Sequence, residues 1–472
     1  YLADRSCVAP SDQLWLVLGY KSLYRANRSK AVREILDGPS PYCTIPSEHL
    51  YSYFKDVFDR IAQNDAQRPE CLRSLPRVDE AGVLETDSTP KEVMARLSKT
   101  KNTAPGKDGI PYRKRDPGCL VLATLFNQCK RLCWTPSSWK KAMTVLVYKK
   151  GERDDPSNWR PISLCSTMYK LYASCLASRI MEWSVSGGAI SSTQKGFISC
   201  KGCYEHNFVL QTTIEMARRA RRQCTVAWLD LANAFGSMPH HYIFATLQEF
   251  GMPENFLRVR GIREVYEGCS TTIRSVEGET TKIPIQSGVK QGCPLSPIIF
   301  NLIMEPLLRA ISNGADGFNL HGERVSVLTY ADDLVLTADD PENLQHMLDV
   351  TSRAAYWMGL RFNAKKRSPT STAAKGTRCK RQGSRSRASP SSRWQRGRRT
   401  GTSAGFRVQQ TPEDTIQEIL QDAAKIDTSL LAPWQKINAL NTFLIARISF
   451  VLRGSAVKHG GANVPRMGDL SS

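Results

Sequence analysis

The sequence predicts an α+β fold: a core of short strands and helices, with helical segments on either side. Three observations point there. From about Trp139 to Phe362, apolar runs of strand length alternate with longer stretches of helical period. Within that region, two strand patterns carry acids at an end or a tip. Before and after it, apolar residues recur at helical spacing.

Taken in order, residues 1–100 form a mostly helical N-terminal extension. Tyr51, Phe54, Phe58 and Ile61 recur at helical spacing and are expected to face a core. Residues 103–112, TAPGKDGIPY, are a turn-rich loop that opens the next region, 101–366. In Thr225–Phe235, the residues Val226, Trp228 and Leu229 predict a buried strand ending near Asp230. An acid there is desolvated and needs a partner, and a metal ion is one. In Val325–Thr337, two apolar runs flank Tyr330, Ala331, Asp332 and Asp333. That pattern predicts a tight hairpin with paired acids at its tip. Adjacent carboxylates repel unless a cation sits between them, and three such acids can hold two Mg²⁺ about 3.5–4 Å apart.

Residues 367–404 break the pattern. The window 367–403 holds eleven Lys or Arg and no acid, is rich in Ser, Gly, Thr and Pro, and has Trp394 as its one aromatic residue. Such a segment cannot bury a core and is expected to be disordered. Helical order returns from Thr415. Ile416, Ile419, Leu420, Ala423, Ile426 and Leu430 form one stripe. After a break marked by Asp427 and Pro433, Ile437, Leu440, Leu444, Ile448 and Val451 form a second. Two amphipathic helices within 405–456 make a small helical subdomain, and 457–472 is left as a C-terminal remnant.

Composition narrows the function. Of 472 residues, 65 are Lys or Arg and 44 Asp or Glu, a net charge of +21. A basic chain of this size points to a polyanionic partner. At 41% hydrophobic residues, whole-chain disorder is excluded. No run of about 18 apolar residues exists, so no membrane partner is expected. The 14 cysteines are too sparse for a disulfide scaffold. Cys200 and Cys203 form a CxxC with His206 close behind, but a zinc site needs four ligands and only Cys224 follows. Ordinary structural cysteines are the favoured reading. The chain begins at Tyr1, which reads as a fragment or a processed product.

Seven pieces occur in one order: TAPGKDGIPY (103–112), NWRPISLCSTMYKLYASCLASRI (158–180), QKGF (194–197), LDLANAFGSMPH (229–240), SGVKQGCPLSPIIFNLIME (287–305), LTYADDLVL (328–336) and MGLRFNAKK (358–366). Together they resemble the reverse transcriptases of non-LTR (LINE-type) retrotransposons, and most nearly the lineage that inserts into ribosomal RNA genes. The resemblance implies a right-hand polymerase with fingers, an antiparallel palm sheet and a thumb, the last over GFRVQQTPEDTIQEIL (405–420) and the helices after it.

It also implies roles. Asp230, Asp332 and Asp333 fall on the catalytic, metal-binding acids, joined by the backbone carbonyl of Leu231. The cofactor implied is a pair of Mg²⁺ ions, with Mn²⁺ as a substitute. One ion would activate a primer 3′-hydroxyl and the other would stabilise the leaving pyrophosphate. Phe235 matches the residue that closes under the incoming sugar and rejects a 2′-hydroxyl. Arg160 matches the finger residue that grips the triphosphate, with Lys149 and Lys150 as helpers. Gln291 and Gly292 fall where the family contacts the nucleotide and template, and Lys365 where it places a proton donor to pyrophosphate. Gly236 stands where many reverse transcriptases carry a second acid.

The implied partners are an RNA template, a DNA primer or target, and dNTPs, with no indication of oligomeric state. The implied reaction is target-primed reverse transcription, carried out in the nucleus, with assembly in the cytoplasm as the alternative site for the earlier step. The alternative is an inactive remnant that binds nucleic acid without catalysis; an RNA-templated RNA polymerase is disfavoured by Phe235. The basic window resembles translation in a wrong frame, with a phosphate-binding arm as the other reading. The chain stops before the family's C-terminal Cys/His knuckle and endonuclease, so polymerisation alone is expected of it.

Overall fold

The computed structural model describes residues 19–38, 42–59, 75–79, 82–100, 104–110, 112, 118–149, 151–200, 202–254, 256–257, 262–314, 316–362, 368–372 and 413–447. In chain order its helices are α1 Arg28–Asp37, α2 Ser47–Phe58, α3 Gly82–Glu85, α4 Pro90–Lys99, α5 Leu120–Leu132, α6 Thr167–Ser186, α7 Gly202–Arg219, α8 Ala234–Ser237, α9 His240–Glu249, α10 Ile262–Tyr266, α11 Ser296–Gly314, α12 Pro341–Trp357, α13 Glu413–Asp427 and α14 Pro433–Ala439. The strands are β1 Lys141–Tyr148, β2 Trp159–Leu164, β3 Cys224–Ala232, β4 Ser270–Ser275, β5 Gly278–Glu279, β6 Ile283–Pro284, β7 Phe318–Leu320, β8 Glu323–Val325, β9 Val327–Tyr330, β10 Asp333–Ala338, β11 Arg361–Phe362 and β12 Ser368–Thr372. Among the described residues, no helix is long and apolar enough to cross a membrane.

Two compact units result, one from Tyr42–Gly202 with Glu215–Ser384, the other from Tyr1–Pro41, Cys203–Ile214 and Arg385–Ser472. The larger unit holds two main sheets. In the first, β1 lies between β2, antiparallel, and β4, parallel, while β5 and β6 pair with β4. In the second, β3 is flanked on one edge by β10 and β9 and on the other by β11 and β12, with every pairing antiparallel. The α+β class and the antiparallel sheet are those expected.

Alternation along β3 and β10 sorts their two faces. Leu229, Leu231, Leu334 and Leu336 are buried on one side, where α11 and α12 pack against the sheet. Each contributes about 1.5–3 kcal/mol of transfer free energy. Trp228, Asp230, Val335 and Asp333 alternate with them on a half-open face. Trp228, expected to be core, is therefore only half-buried: it shares the acids' face. Helix α12 starts sharply because Asp340 caps Asn343 N–H and Pro341 takes the first helical position.

The single extension expected over 1–100 is divided. Helix α2 packs on β4 and β6, burying Leu50 and Phe54 with Trp159, Ile273 and Ile283, and Tyr51 and Phe58 are half-buried at the edge of that cluster. Ile61 lies outside the described residues. Arg179 of α6 forks onto Glu92 of α4 with two 2.8 Å bonds, fixing residues 90–99 to the same unit. Residues 24–32 belong elsewhere. Tyr24, Ala31 and Val32 share a core with Ile419, Ile426, Leu431, Ala439 and Leu444. Tyr24 donates to the Asn438 side chain at 2.9 Å, and the Gln435 side chain donates to the Lys21 carbonyl at 3.2 Å. The break between the two C-terminal helices falls where Asp427 and Pro433 place it. Leu420, Leu430 and Ile437 of the stripes are exposed, because the N-terminal segment covers a different side. Ile448 and Val451 lie outside the described residues.

The segment expected to be disordered from 367 gives up its first residues to the sheet. β12 pairs Ser368–Thr372 against Trp228–Cys224. The edge position accommodates Pro369, which has no N–H to give. Residues 373–412 lie outside the described residues.

Candidate active site

The acid-bearing strands meet in register. Asp333 stands directly opposite Asp230 in the antiparallel pair, and Tyr330 opposite Asp333 closes the hairpin. Two residues, Ala331 and Asp332, make the turn, with Ala331 in the left-handed region at φ +58°. Directly opposed residues project from the same face with Cβ atoms about 4.5–5.5 Å apart. The backbone thus puts the Asp230 and Asp333 carboxylates side by side on the half-open face, with Asp332 next along the chain. Like charges in that relation destabilise a sheet unless a cation intervenes. The donor set is all oxygen, which suits a hard divalent cation rather than zinc. Among the described residues, no three His, Cys, Asp or Glu side chains already converge as a metal cage. It is the strand register that assembles the acids. The Leu231 side chain is buried, and its backbone sits one residue beyond Asp230, opposite Phe362.

The residues assigned to the nucleotide are spread over α8, β2, the end of β1 and the turn at Gln291 and Gly292. Phe235 lies on α8, just past β3. Its ring stacks on Phe300 at 4.1 Å and 5°, and meets the edge of Phe197 at 5.9 Å. It is half-buried, so the packing and the exposed edge coexist. Arg160 projects from β2 into solvent, and among the described residues no carboxylate pairs with it. Lys149, at the end of β1, is exposed and reaches the Ser157 carbonyl at 3.3 Å. Gln291 accepts the Ser163 N–H on its carbonyl at 2.7 Å, which ties the loop to β2. Gly292, at φ +110°, lies so close to the Ser163 carbonyl that a Cβ would sit 2.8 Å from it. A recess lined by Pro161, Ser163, Asn233, Gly236, Ser287 and Gln291 joins β2 to the turn after Asp230. The turn that carries Gln291 is thus tied to the strand that carries Arg160. Lys150 and Lys365 lie outside the described residues.

Several residues without a role in the sequence reading hold this geometry. Ser287 donates to the Gly236 carbonyl at 3.1 Å, and its hydroxyl lies 3.2 Å from the Phe58 carbonyl. Val289 N–H donates to the Phe235 carbonyl at 2.6 Å. Lys290 is buried, with Nζ 2.9 Å from Cys269 Sγ and over the Tyr169 ring. His240 bonds the Gly288 carbonyl through Nε2 at 3.0 Å, and burial pushes its imidazole down to about 4. Glu305 on α11 is enclosed. Burial pushes its carboxyl up to about 7 against the opposing pull of Ser191 and Arg309. His240 closes the LDLANAFGSMPH piece, and Ser287, Val289, Lys290 and Glu305 lie in SGVKQGCPLSPIIFNLIME. Those strings are visible in the sequence, but their contacts join residues far apart along the chain.

The family model for reverse transcriptase (RNA-dependent DNA polymerase) matches residues 147–391, which includes much of the basic window. The chain is similar to the Retrovirus-related Pol polyprotein from type-1 retrotransposable element R2 of Popillia japonica, 33% identical over 295 residues, covering 61% of this chain and 40% of that protein. It is also similar to the corresponding R2 polyprotein of Bradysia coprophila, 28% identical over 452 residues, covering 90% and 49%. The chain therefore spans half or less of the length of these curated relatives. Among solved structures, an apo telomerase from Candida tropicalis aligns with a TM-score of 0.39 and 11% identity, over 52% of this chain and 56% of that one.

Proposed function

Since the chain belongs to the reverse transcriptase (RNA-dependent DNA polymerase) family, whose members use divalent metal ions, we propose that it extends a DNA 3′-hydroxyl on an RNA template as the polymerase of an R2-like non-LTR element. The observation that carries this reading is the opposition of Asp230 and Asp333 on the open face of the sheet, with Asp332 beside them. Two Mg²⁺ ions bound there would lower the pKa of the primer hydroxyl and neutralise charge on the departing pyrophosphate.

The protein's own residues do the rest. Asp230, Asp332 and Asp333 would hold the cations in one place, with the Leu231 carbonyl available on the same strand. Arg160 is exposed on β2 and free of a carboxylate partner among the described residues, which suits it to a triphosphate. The Phe235 ring is backed by Phe300 and cannot retreat, so a 2′-hydroxyl over it meets a fixed wall. Gln291 and Gly292 support the floor between β2 and the acid strand. Copying accuracy comes from base pairing, while grip comes from phosphate contacts and stacking. Priming from a nicked chromosomal end would place the work in the nucleus.

The test is primer extension on poly(rA)/oligo(dT) with Mg²⁺ and dTTP, beside an Asp332→Asn/Asp333→Asn control. Incorporation that the double substitution abolishes is the expected result. Folded protein that binds primer–template and incorporates nothing would overturn the proposal in favour of a nucleic-acid-binding remnant.

A further inference from the structure

The turn that carries Asp332 and Asp333 is not self-sufficient. An L-residue in the left-handed region costs roughly 1–2 kcal/mol, and Ala331 has no polar side chain to offset it. Glycine is the residue that takes this conformation without strain, and it is absent here. Something outside the hairpin must hold Ala331 at φ +58°.

Gln194 is so placed. The residue is 1% exposed. Its Oε1 accepts the Ala331 N–H at 2.9 Å, and its Nε2 donates to the Ala331 carbonyl at 3.3 Å. The same Oε1 accepts the Gly196 N–H at 2.8 Å. One planar amide therefore bridges both polar groups of the one strained residue in the acid-bearing turn.

The bridge is itself anchored. Thr329 N–H donates to the Thr193 carbonyl and Lys195 N–H to the Thr329 carbonyl, both at 2.9 Å, so this segment runs as a short parallel bridge beside β9. The Asn301 side chain of α11 donates to the Gly196 carbonyl at 2.8 Å. Gly196 must lack a side chain: a Cβ there would lie 2.9 Å from the Ala331 Cα and closer still to its nitrogen.

We propose that Gln194 is a positioning residue for the metal-binding carboxylates, holding Ala331 left-handed and so fixing where Asp332 and Asp333 leave the hairpin. This rests on the polymerase reading above for its purpose, though not for its geometry. Gln194 does not touch the carboxylates. Its effect passes through one residue, by way of the two peptide groups that flank the Ala331 Cα, and should appear in metal affinity before it appears in folding.

The experiment measures Mn²⁺ binding by electron paramagnetic resonance on the full chain without nucleic acid. The component lost in Asp332→Asn/Asp333→Asn defines the site. Gln194→Met keeps the length of the side chain and removes both bonds to Ala331; the Kd of that component should rise roughly tenfold, with the circular dichroism spectrum unchanged. Adding Ala331→Gly removes the left-handed cost and should recover roughly fivefold.

If Gln194→Met fails to fold, the double variant Gln194→Met/Ala331→Gly should fold, because the strain is gone; its failure too would overturn the proposal. A folded Gln194→Met with unchanged Mn²⁺ affinity would also overturn it. Primer extension is scored separately. An inactive parent whose Asp-dependent Mn²⁺ binding still weakens in Gln194→Met overturns the polymerase reading alone. An active parent whose Mn²⁺ binding ignores Gln194 overturns this proposal alone, and a parent with no Asp-dependent binding overturns both.

Discussion

Replacing Gly288 by alanine should be far more damaging than the same change at Gly322, although both glycines have positive φ, +75° and +95°. At Gly322, in the turn between β7 and β8, nothing lies within 4 Å of an added Cβ. Its cost is the left-handed conformation alone, about 1 kcal/mol. At Gly288 the same conformational cost applies, and the Cβ would also meet the Phe235 carbonyl oxygen at 2.5 Å and the Gly236 Cα closer still. Both neighbours are backbone, so neither can swing aside. Relieving such an overlap by backbone shift costs about 1–3 kcal/mol, for a total of about 2–4 kcal/mol. The shift would also stretch the Val289 bond to Phe235 and the Ser287 bond to Gly236. Urea midpoints followed by tryptophan fluorescence measure the stability difference. Primer extension at varied dTTP should show a raised KM for Gly288→Ala and none for Gly322→Ala. Equal destabilisation by the two substitutions would refute the argument that close approach, rather than φ, constrains Gly288.

Further predictions concern charge, selectivity and the smaller unit. Glu305 keeps its proton up to about pH 7 when folded but only to about 4.5 when unfolded. Its contribution is thus complete below about pH 4.5 and is lost as pH rises to about 7, by about 3 kcal/mol. Glu305→Gln should remove that slope between pH 5 and 7.5 in urea titrations, and an unchanged slope would rule it out. His240 acts with the opposite sign. Its imidazole, held down at about 4 by burial, destabilises the fold as pH falls from 6.5 toward 4, and His240→Gln should lessen the acid sensitivity of the thermal midpoint. Phe235→Val should narrow the preference for dTTP over UTP by about tenfold or more in kcat/KM, a loss of about 1.4 kcal/mol, and an unaltered ratio would exclude the ring as the sugar gate. Tyr24→Ala should cost about 3–5 kcal/mol, seen as faster hydrogen exchange over 413–447 with 224–232 unaffected.

The acids were legible because a period-two pattern needs no long-range information. Leu229, Leu231, Leu334 and Leu336 fall on one face, so Asp230 and Asp333 must share the other. The hairpin was legible from two apolar runs around a short polar centre. The same alternation should have exposed Trp228, which lies in phase with Asp230; hydrophobicity alone made it look like core. Gln194 could be quoted within QKGF, yet its partner is Ala331, 137 residues on, and no local rule links them. The helix stripes in 416–444 announced a core but not what covers it, because Tyr24, Ala31 and Val32 sit at the opposite end of the chain. Composition gave the wrong answer for Ser368–Thr372. Polar residues without a hydrophobic face can still form a strand when a neighbouring strand offers unpaired backbone groups.

The long separation between Tyr24 and Asn438, 414 residues, bears on how the protein is made. A ribosome adding about 5–20 residues each second needs tens of seconds to travel that distance. Throughout that time the apolar side of Arg28–Asp37 has emerged while its partners in 413–447 do not yet exist. The larger unit has most of its sequence by then and can condense first, whereas the smaller one cannot close until residues 413–447 have been made. For that interval the nascent N-terminal helix leaves Ala31 and Val32 without the partners that bury them, and exposed apolar surface of that kind is what holding chaperones bind.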